Sequence, residues 1–431
     1  MSKFNRRDFL KVMSAGGIAA GTGTLVLPLN AQAKSGGRVV VIGGGFGGAT
    51  CANYIRRFDP SVEVTLIEPK KEFITCPFSN TVLAGIYNMD YITQSYEGLE
   101  KNRGVKMVHD TVKAIDPAGK KVTLKGGSSL AYDRLVVSPG ISFRWDTIEG
   151  ASEATAQVMP HAWKAGQQTA LLQKQLHAMK DGGTFIIAVP QKPFRAPPAP
   201  YERASLVAYY LSQNKPKSKV LVIDSGDSNE ELPVFKAAWE DLYPKMIEWV
   251  KGSEQGEIQK ADAKAMTLTG RSGATYKGDV INLIPAQKAG DIAQSSRLAG
   301  KDGWCAVDPE TFESKVHKNI HVIGDACIAG DMPKTGHSAS SQGKICAAAV
   351  VSALRGEKMP GDFTYTESIY SLLEPSYAIS SAGVYRLKSG RITRVSGGVS
   401  DVDASKKTRV KESKFARGWY KGITTDTFAK S

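Results

Sequence analysis

Two kinds of residue in this chain could do chemistry: glycines in a tight run, and cysteines. Gly43-Gly44-Gly45-Phe46-Gly47-Gly48 follows directly on Arg38-Val39-Val40-Val41-Ile42. A short apolar run of this kind suits a parallel strand buried on both faces. A helix-compatible stretch, Ala49 to Phe58, comes next, then a second apolar strand from Val62 to Ile67 with Glu68 at its end. Strand, G-x-G-x-x-G, helix, strand, acid is the pattern of a dinucleotide site. Gly43 would make the tight turn, Gly45 would let backbone approach a pyrophosphate, and Gly48 would let the helix sit close to the strand. The helix start, with Phe46 in it, offers free amides and partial positive charge to phosphates. Glu68 can accept from ribose hydroxyls.

A second element separates flavin from nicotinamide. Asn319 to Asp325 reads as a strand ending in Gly324-Asp325, followed by a helix-compatible segment from Ser338 to Leu354. That pairing resembles the second FAD fingerprint of glutathione-reductase-like flavoproteins, in which the aspartate binds the ribityl chain. The helix that follows would point its positive end at the pyrimidine side of the flavin, where negative charge develops on reduction. Tyr132 to Gly140 fits the strand and turn that return to the FAD domain, and Lys334 is a candidate to offer charge to the flavin pyrimidine, the alternative being a solvated loop lysine.

The elements that must position these groups continue through the middle of the chain. Ala162 to Met179 reads as a helix, Thr184 to Val189 as a strand, Ala204 to Leu211 as a helix and Lys219 to Ile223 as a strand. This is the pattern of a second nucleotide domain, but its strand is not followed by glycines. It runs into Pro190, Pro193, Pro197, Pro198 and Pro200, and proline cannot make a helix-entry turn rich in free amides. A nicotinamide cofactor is therefore not expected.

The compartment is read from the ends and the cysteines. Asn5-Arg6-Arg7-Asp8-Phe9-Leu10-Lys11, an apolar small-residue run to Leu29 and Ala31-Gln32-Ala33 read as a twin-arginine export signal over residues 1–33, removed on export to the periplasm. The formal net charge of +14 becomes +11 once Lys3, Arg6, Arg7 and Lys11 leave with Asp8. That surplus favours acidic partners or anionic substrates, while no basic run or aromatic-interleaved motif points to nucleic acid. Cys51, Cys76, Cys305, Cys327 and Cys346 make an odd count, with neither C-x-x-C nor C-x-x-C-H among them. No zinc ribbon or c-type haem attachment is encoded, and scattered histidines argue against a metal site. Cys76, in FITCPFSN, could be a buried filler, half of a disulfide, a ligand, a nucleophile or an attachment point. A Cys51–Cys346 bridge is an option, with buried thiols the default there and at Cys305 and Cys327.

GGGFGGAT, VTLIEP, TCPFSN, PHAWKAG, PFRAPPAPYERAS, VINLIPAQKAG, DGWCAVD, HVIGDACIA, SASSQGK and WYKGITTDTF together resemble the flavoprotein subunit of flavocytochrome c sulfide dehydrogenase, a relative of sulfide:quinone oxidoreductases. The resemblance implies an α/β, glutathione-reductase-like flavoprotein with two dinucleotide-binding domains and a C-terminal interface domain. It implies FAD bound covalently through Cys76, sulfide as donor, and haem c on a separate cytochrome subunit as acceptor. The expected domains are 34–149 with 276–355 for FAD, 150–275 for the second domain without a nucleotide motif, and 356–431 for the cytochrome interface.

One departure matters. The family's redox-active cysteine pair falls on Ala196 and Ile369, so neither a persulfide nor a disulfide can form there. Two apolar side chains of similar volume should leave the fold intact. Glu202, in the matching Tyr-Glu pair, is retained as a candidate proton-handling group. Two functions follow as expectations: a periplasmic FAD-dependent oxidoreductase passing electrons from a small reduced sulfur donor to a c-type cytochrome, or a sulfide-inactive flavoprotein acting as relay or binding partner of another periplasmic redox protein.

Overall fold

The computed structural model describes residues 36–255, 257–359 and 361–430. The expected export signal over 1–33 lies outside the described residues. In chain order the first half contains β1 (Arg38–Ile42), α1 (Phe46–Phe58), β2 (Glu63–Ile67), β3 (Lys106–Val108), β4 (Arg134–Val137), α2 (Gln167–Ala178), β5 (Thr184–Val189) and α3 (Ala199–Asn214). The second half contains β6 (Lys219–Asp224), β7 (Ile247–Val250), β8 (Val280–Leu283), β9 (Ile320–Val322), α4 (Gly336–Arg355), β10 (Thr364–Glu374), β11 (Tyr377–Lys388), β12 (Arg391–Val399) and α5 (Lys406–Thr427).

Two open parallel sheets organise the molecule. The first has the order β9-β4-β1-β2-β3 and the second β7-β6-β5-β8. Their strands are the apolar runs read from the sequence: Val39 to Ile42 and Phe185 to Val189 are all buried, as all-parallel strands covered on both faces must be. Full burial of one such side chain is worth about 1.5–3 kcal/mol. A third, antiparallel sheet, β10-β11-β12, carries the C-terminal region, and α5 packs on it. Ser405 caps α5 by accepting from the Thr408 amide, and Thr335 caps α4 by accepting from the Ser338 amide at 3.1 Å.

Helices α1 and α4 lie directly on each other, and small residues permit it. A Cβ on Gly343 would come within 2.7 Å of the Gly47 carbonyl. Arg355, at the end of α4, closes the pair with a 2.9 Å ion pair to Asp59.

The structure departs from the sequence reading at four places. Helix α2 starts at Gln167 rather than Ala162, because the carbonyls of His161 and Ala162 accept from the buried Arg203 guanidinium. Helix α3 runs from Ala199 to Asn214, longer at both ends than Ala204 to Leu211. Proline is tolerated in its first turn, where an amide would have no helical partner anyway. The strand expected over Asn319 to Asp325 is confined to β9, because Asn319 has φ 63° and Gly324–Ala326 forms a tight 3-10 turn. Strand β8 pairs with β5 in the second sheet, although the expected boundary at residue 275 put it with the flavin half.

Candidate active site

The turn from β1 into α1 is built around close backbone approach. Gly43 has φ 97°, its amide donates to the Ile67 carbonyl at 2.9 Å, and a Cβ there would lie 2.2 Å from the Ser138 carbonyl. A Cβ on Gly48 would lie 1.9 Å from the Gly43 carbonyl. Gly45 differs, since a Cβ on it would meet nothing nearer than the Phe73 ring at 3.4 Å. The first bonded amide of α1 is Ala49, which donates to Gly45 at 2.9 Å, so the amides of Phe46, Gly47 and Gly48 stand ahead of the helical ladder. The Phe46 side chain turns inward, edge-on to Phe73 with centroids 5.7 Å apart, so only its backbone faces the turn's exterior chemistry. Glu68, at the end of β2, accepts from the Gly44 amide at 3.0 Å.

The second flavin motif lies against the same sheet. Gly140 turns the chain after β4 with φ 64° and accepts from the Gly290 amide at 2.9 Å. Gly324 has φ 75° and donates to Gln342 at 2.8 Å. Asp325 is buried, with Oδ2 3.7 Å from Arg195 Nη1 and Oδ1 without any partner. Burial pushes its pKa up, opposed by Arg195 and Lys334. Lys334 does not point its charge freely. Its Nζ donates to the carbonyls of Asp325 (2.7 Å) and Cys327 (2.9 Å) and lies 3.9 Å from the Trp304 ring centroid.

Buried polar atoms are normally hydrogen-bonded. Three around this region are not: Asp325 Oδ1, Gln287 Nε2 and Ser338 Oγ. Gln287 and Asp325 are joined through Arg195, whose amide donates to Gln287 at 2.9 Å. Unfilled acceptors and donors of this kind, together with the open α1 amides, fit a polar, phosphate-bearing cofactor such as FAD.

Beside this region lies an open cavity lined by Cys76, Ala196, Glu202, His337, Ile369 and Trp419 among others. Ala196 and Ile369, distant in sequence, are thus brought to one space with Cys76. Ile369 sits in mid-β10, paired with Ser381. Ala196 has φ 53°, and its amide donates to the Lys334 carbonyl at 2.8 Å. Cys76 is half-buried, with Sγ 3.6 Å from the Trp163 carbonyl. All five cysteines are free thiols, Cys51 and Cys346 included, so no bridge joins α1 to α4.

Glu202, in the first turn of α3, accepts from Asn80 Nδ2 at 2.7 Å and from the Leu372 amide at 3.1 Å. Burial raises its pKa to about 7 despite those bonds and the neighbouring Arg203. Arg203 is buried and holds the cavity wall together, donating to Asn80, Asn282, His161 and Ala162 at 2.7–3.2 Å. Burial lowers its pKa to about 10, with the cation retained at neutral pH. Sequence reasoning missed Arg203, Asn80, Asn282 and His337. The available signal for Arg203 was a cation next to Glu202, directly before an apolar helical stretch. Among the described residues no group of His, Cys, Asp and Glu side chains could hold a metal ion.

Comparison with known proteins gives the family. Residues 169–285 match the family model described as the central part of the sulfide dehydrogenase [flavocytochrome c] flavoprotein chain, and residues 363–428 match flavocytochrome c sulphide dehydrogenase, flavin-binding. The sulfide dehydrogenase [flavocytochrome c] flavoprotein chain of Chlorobaculum thiosulfatiphilum is 69% identical over 45 residues, which span 94% of that sequence and 10% of this one. The chain belongs to the flavocytochrome c sulfide dehydrogenase flavoprotein family.

Residues 37–178 also match the pyridine nucleotide-disulphide oxidoreductase model. The mitochondrial sulfide:quinone oxidoreductase of Dictyostelium discoideum is 26% identical over 324 residues, 72% of this chain and 69% of that one. The solved sulfide:quinone oxidoreductase of Aquifex aeolicus has the same fold, with a TM-score of 0.71 at 20% identity over 92% of this chain and 93% of that one. As a member of the flavocytochrome c family, the chain is an FAD-dependent oxidoreductase of the sulfide dehydrogenase type.

Proposed function

We propose that this chain is the flavin subunit of a periplasmic electron-transfer enzyme, exported by the twin-arginine route, that takes electrons from a small reduced sulfur donor and delivers them to a separate c-type cytochrome subunit. The observation that carries this reading is the shared cavity, where Cys76, Glu202 and the Ala196/Ile369 positions meet beside the flavin motifs. When bound, FAD supplies a two-electron acceptor that can release electrons one at a time.

The residues that would hold it are those of the two motifs. The α1 amides and Gly45 would hold the pyrophosphate, Glu68 the ribose, Asp325 Oδ1 a ribityl hydroxyl, and Cys76 the ring through a thioether. Gly45 supports this, because its own protein surroundings would tolerate a side chain. Glu202 binds a proton with a pKa of about 7 and so can receive one released by the donor near neutral pH. Arg203 and Asn80 fix its carboxylate side of the cavity.

Ala196 and Ile369 remove the sulfur that would exchange with the donor. That observation favours a second reading, in which sulfide turnover is lost and the flavoprotein relays electrons for another periplasmic redox protein. Sulfide-dependent cytochrome c reduction separates the two. The first reading expects turnover by the natural chain. The second expects none, with activity gained by the Ala196→Cys/Ile369→Cys double variant. Thioether attachment is checked by acid precipitation: flavin colour should pellet with the natural chain and stay in the supernatant of Cys76→Ala.

A further inference from the structure

His337 was not singled out by any motif, yet it lines the same cavity as Glu202. It is the second residue of α4, and its ring lies edge-on to Trp419 with centroids 6.2 Å apart. Its Nδ1 accepts from the Ser368 amide at 2.7 Å and lies 3.0 Å from the Ser368 hydroxyl. A ring nitrogen that accepts an amide N–H cannot itself carry the proton, so the neutral ring is protonated at Nε2. Nε2 has no hydrogen-bond partner among the described residues and is not among the sealed, unpartnered atoms. Burial, helped by the charge of Lys344, holds the ring's pKa at about 4. The cavity therefore contains a neutral N–H donor fixed in orientation by a strand.

Its surroundings set the charge of what that donor would hold. Arg195 and Arg203 line the cavity, and the N-terminal end of the 20-residue α4 meets it through Thr335 and Gly336. Glu202 is the one carboxylate among the lining residues described.

We propose that His337 Nε2–H is the binding donor for a small sulfur anion, of hydrosulfide or sulfite size, in this cavity. The proposal rests on the reading of the cavity as the electron-donor site and names the charge state in which the donor is held. An anion accepts a hydrogen bond more strongly than a neutral thiol does, so an uncharged N–H in a cavity that Arg195 and Arg203 also line favours the anion. A hydrogen bond to a charged partner is stronger than one between neutral groups.

The test is isothermal titration of the flavin-loaded protein with azide, a redox-inert anion of similar size. His337→Asn keeps an acceptor for the Ser368 amide but lacks the Nε2 donor, whereas His337→Gln restores a donor at that reach. Azide should bind the natural chain, weaken roughly tenfold in His337→Asn with unchanged thermal stability, and recover in His337→Gln. Equal azide affinity in the natural chain and His337→Asn would overturn the role of His337. If Ala196→Phe, which fills the cavity, still abolished that binding, the donor-cavity reading would stand without it. Absence of azide binding to the natural chain would overturn the anion assignment and leave the donor-cavity reading to the cytochrome assay.

Discussion

The turn from β1 into α1 and the turn from β5 into α3 occupy equivalent places in the two parallel sheets, and they have opposite chemistry. The first places Phe46, Gly47 and Gly48 amides ahead of the helical ladder, with Gly45 open to the outside. The second passes through four prolines, and a fifth, Pro200, stands in the first turn of α3. The amides nearest α3 bond within the chain: Ala196 to Lys334 at 2.8 Å, Ala199 to Ala196 at 2.9 Å, and Tyr201 and Glu202 to Pro198 at 3.1 Å. A βα unit binds a dinucleotide through unsatisfied donors at its turn, and the architecture alone does not provide them. Where the first turn makes a nucleotide cradle, the proline-rich turn makes one wall of the cavity that Ala196 and Glu202 line.

The comparison can be broken most forcibly at Gly48. Gly48→Ala would drive a Cβ to 1.9 Å from the Gly43 carbonyl, and such overpacking should cost about 3 kcal/mol and expel flavin, read from the thermal midpoint and the flavin-to-protein absorbance ratio. Gly45→Ala sharpens the point, since it should fold normally while binding less FAD; equal FAD content would contradict the role given to Gly45.

On the proline side, NADH should leave the bound flavin oxidised in both the natural chain and Pro198→Gly/Pro200→Gly, as followed by anaerobic stopped-flow absorbance. Rapid reduction of the natural chain would remove the contrast between the two turns.

A smaller effect attaches to Glu202, which stands just beyond the second turn. Its pKa is raised from the ordinary 4.5 to about 7 in the folded chain, so the folded state holds the proton more tightly than the unfolded state. Its contribution to stability is complete below about pH 4.5 and is lost as pH rises through about 7. Glu202→Gln should flatten that dependence in denaturant titrations. It should also remove an apparent pKa near 7 from the rate of flavin reduction. An unchanged pH profile would exclude Glu202 as the proton acceptor. The least effect is expected from Arg355→Ala, which removes a partly exposed link between α1 and α4; a loss of about 1 kcal/mol with full flavin retention would confirm that the cradle depends on its glycines and not on that tie.

The flavin half was largely legible because its signals are local. An apolar strand, a glycine turn and an acid at a fixed distance need no tertiary information, and β1, α1 and β2 fall within a few residues of the reading. Helix α2 was overextended because the carbonyls of His161 and Ala162 bond to Arg203, which lies about forty residues further along the chain. Strand β8 was assigned to the wrong sheet because an apolar run does not name its neighbour. Lys334 was read as a source of charge for the flavin pyrimidine, and the two carbonyls and the Trp304 ring that hold its Nζ could not be seen in the sequence. His337 was invisible because its interest lies in which ring nitrogen is occupied, and that depends on Ser368 across the fold.

Ala196 adopts φ 53°, a conformation unusual for a residue with a side chain. Its amide and carbonyl are both engaged, by Lys334 and Ala199, and its methyl takes no part in either bond. The backbone there behaves as a socket whose shape is independent of what is plugged into it. Exchange of one side chain for another at that socket alters reactivity without asking the surrounding loops to refold. Side-chain exchange at Ala196 and Ile369 can therefore change what the cavity presents while the backbone that frames it keeps its shape.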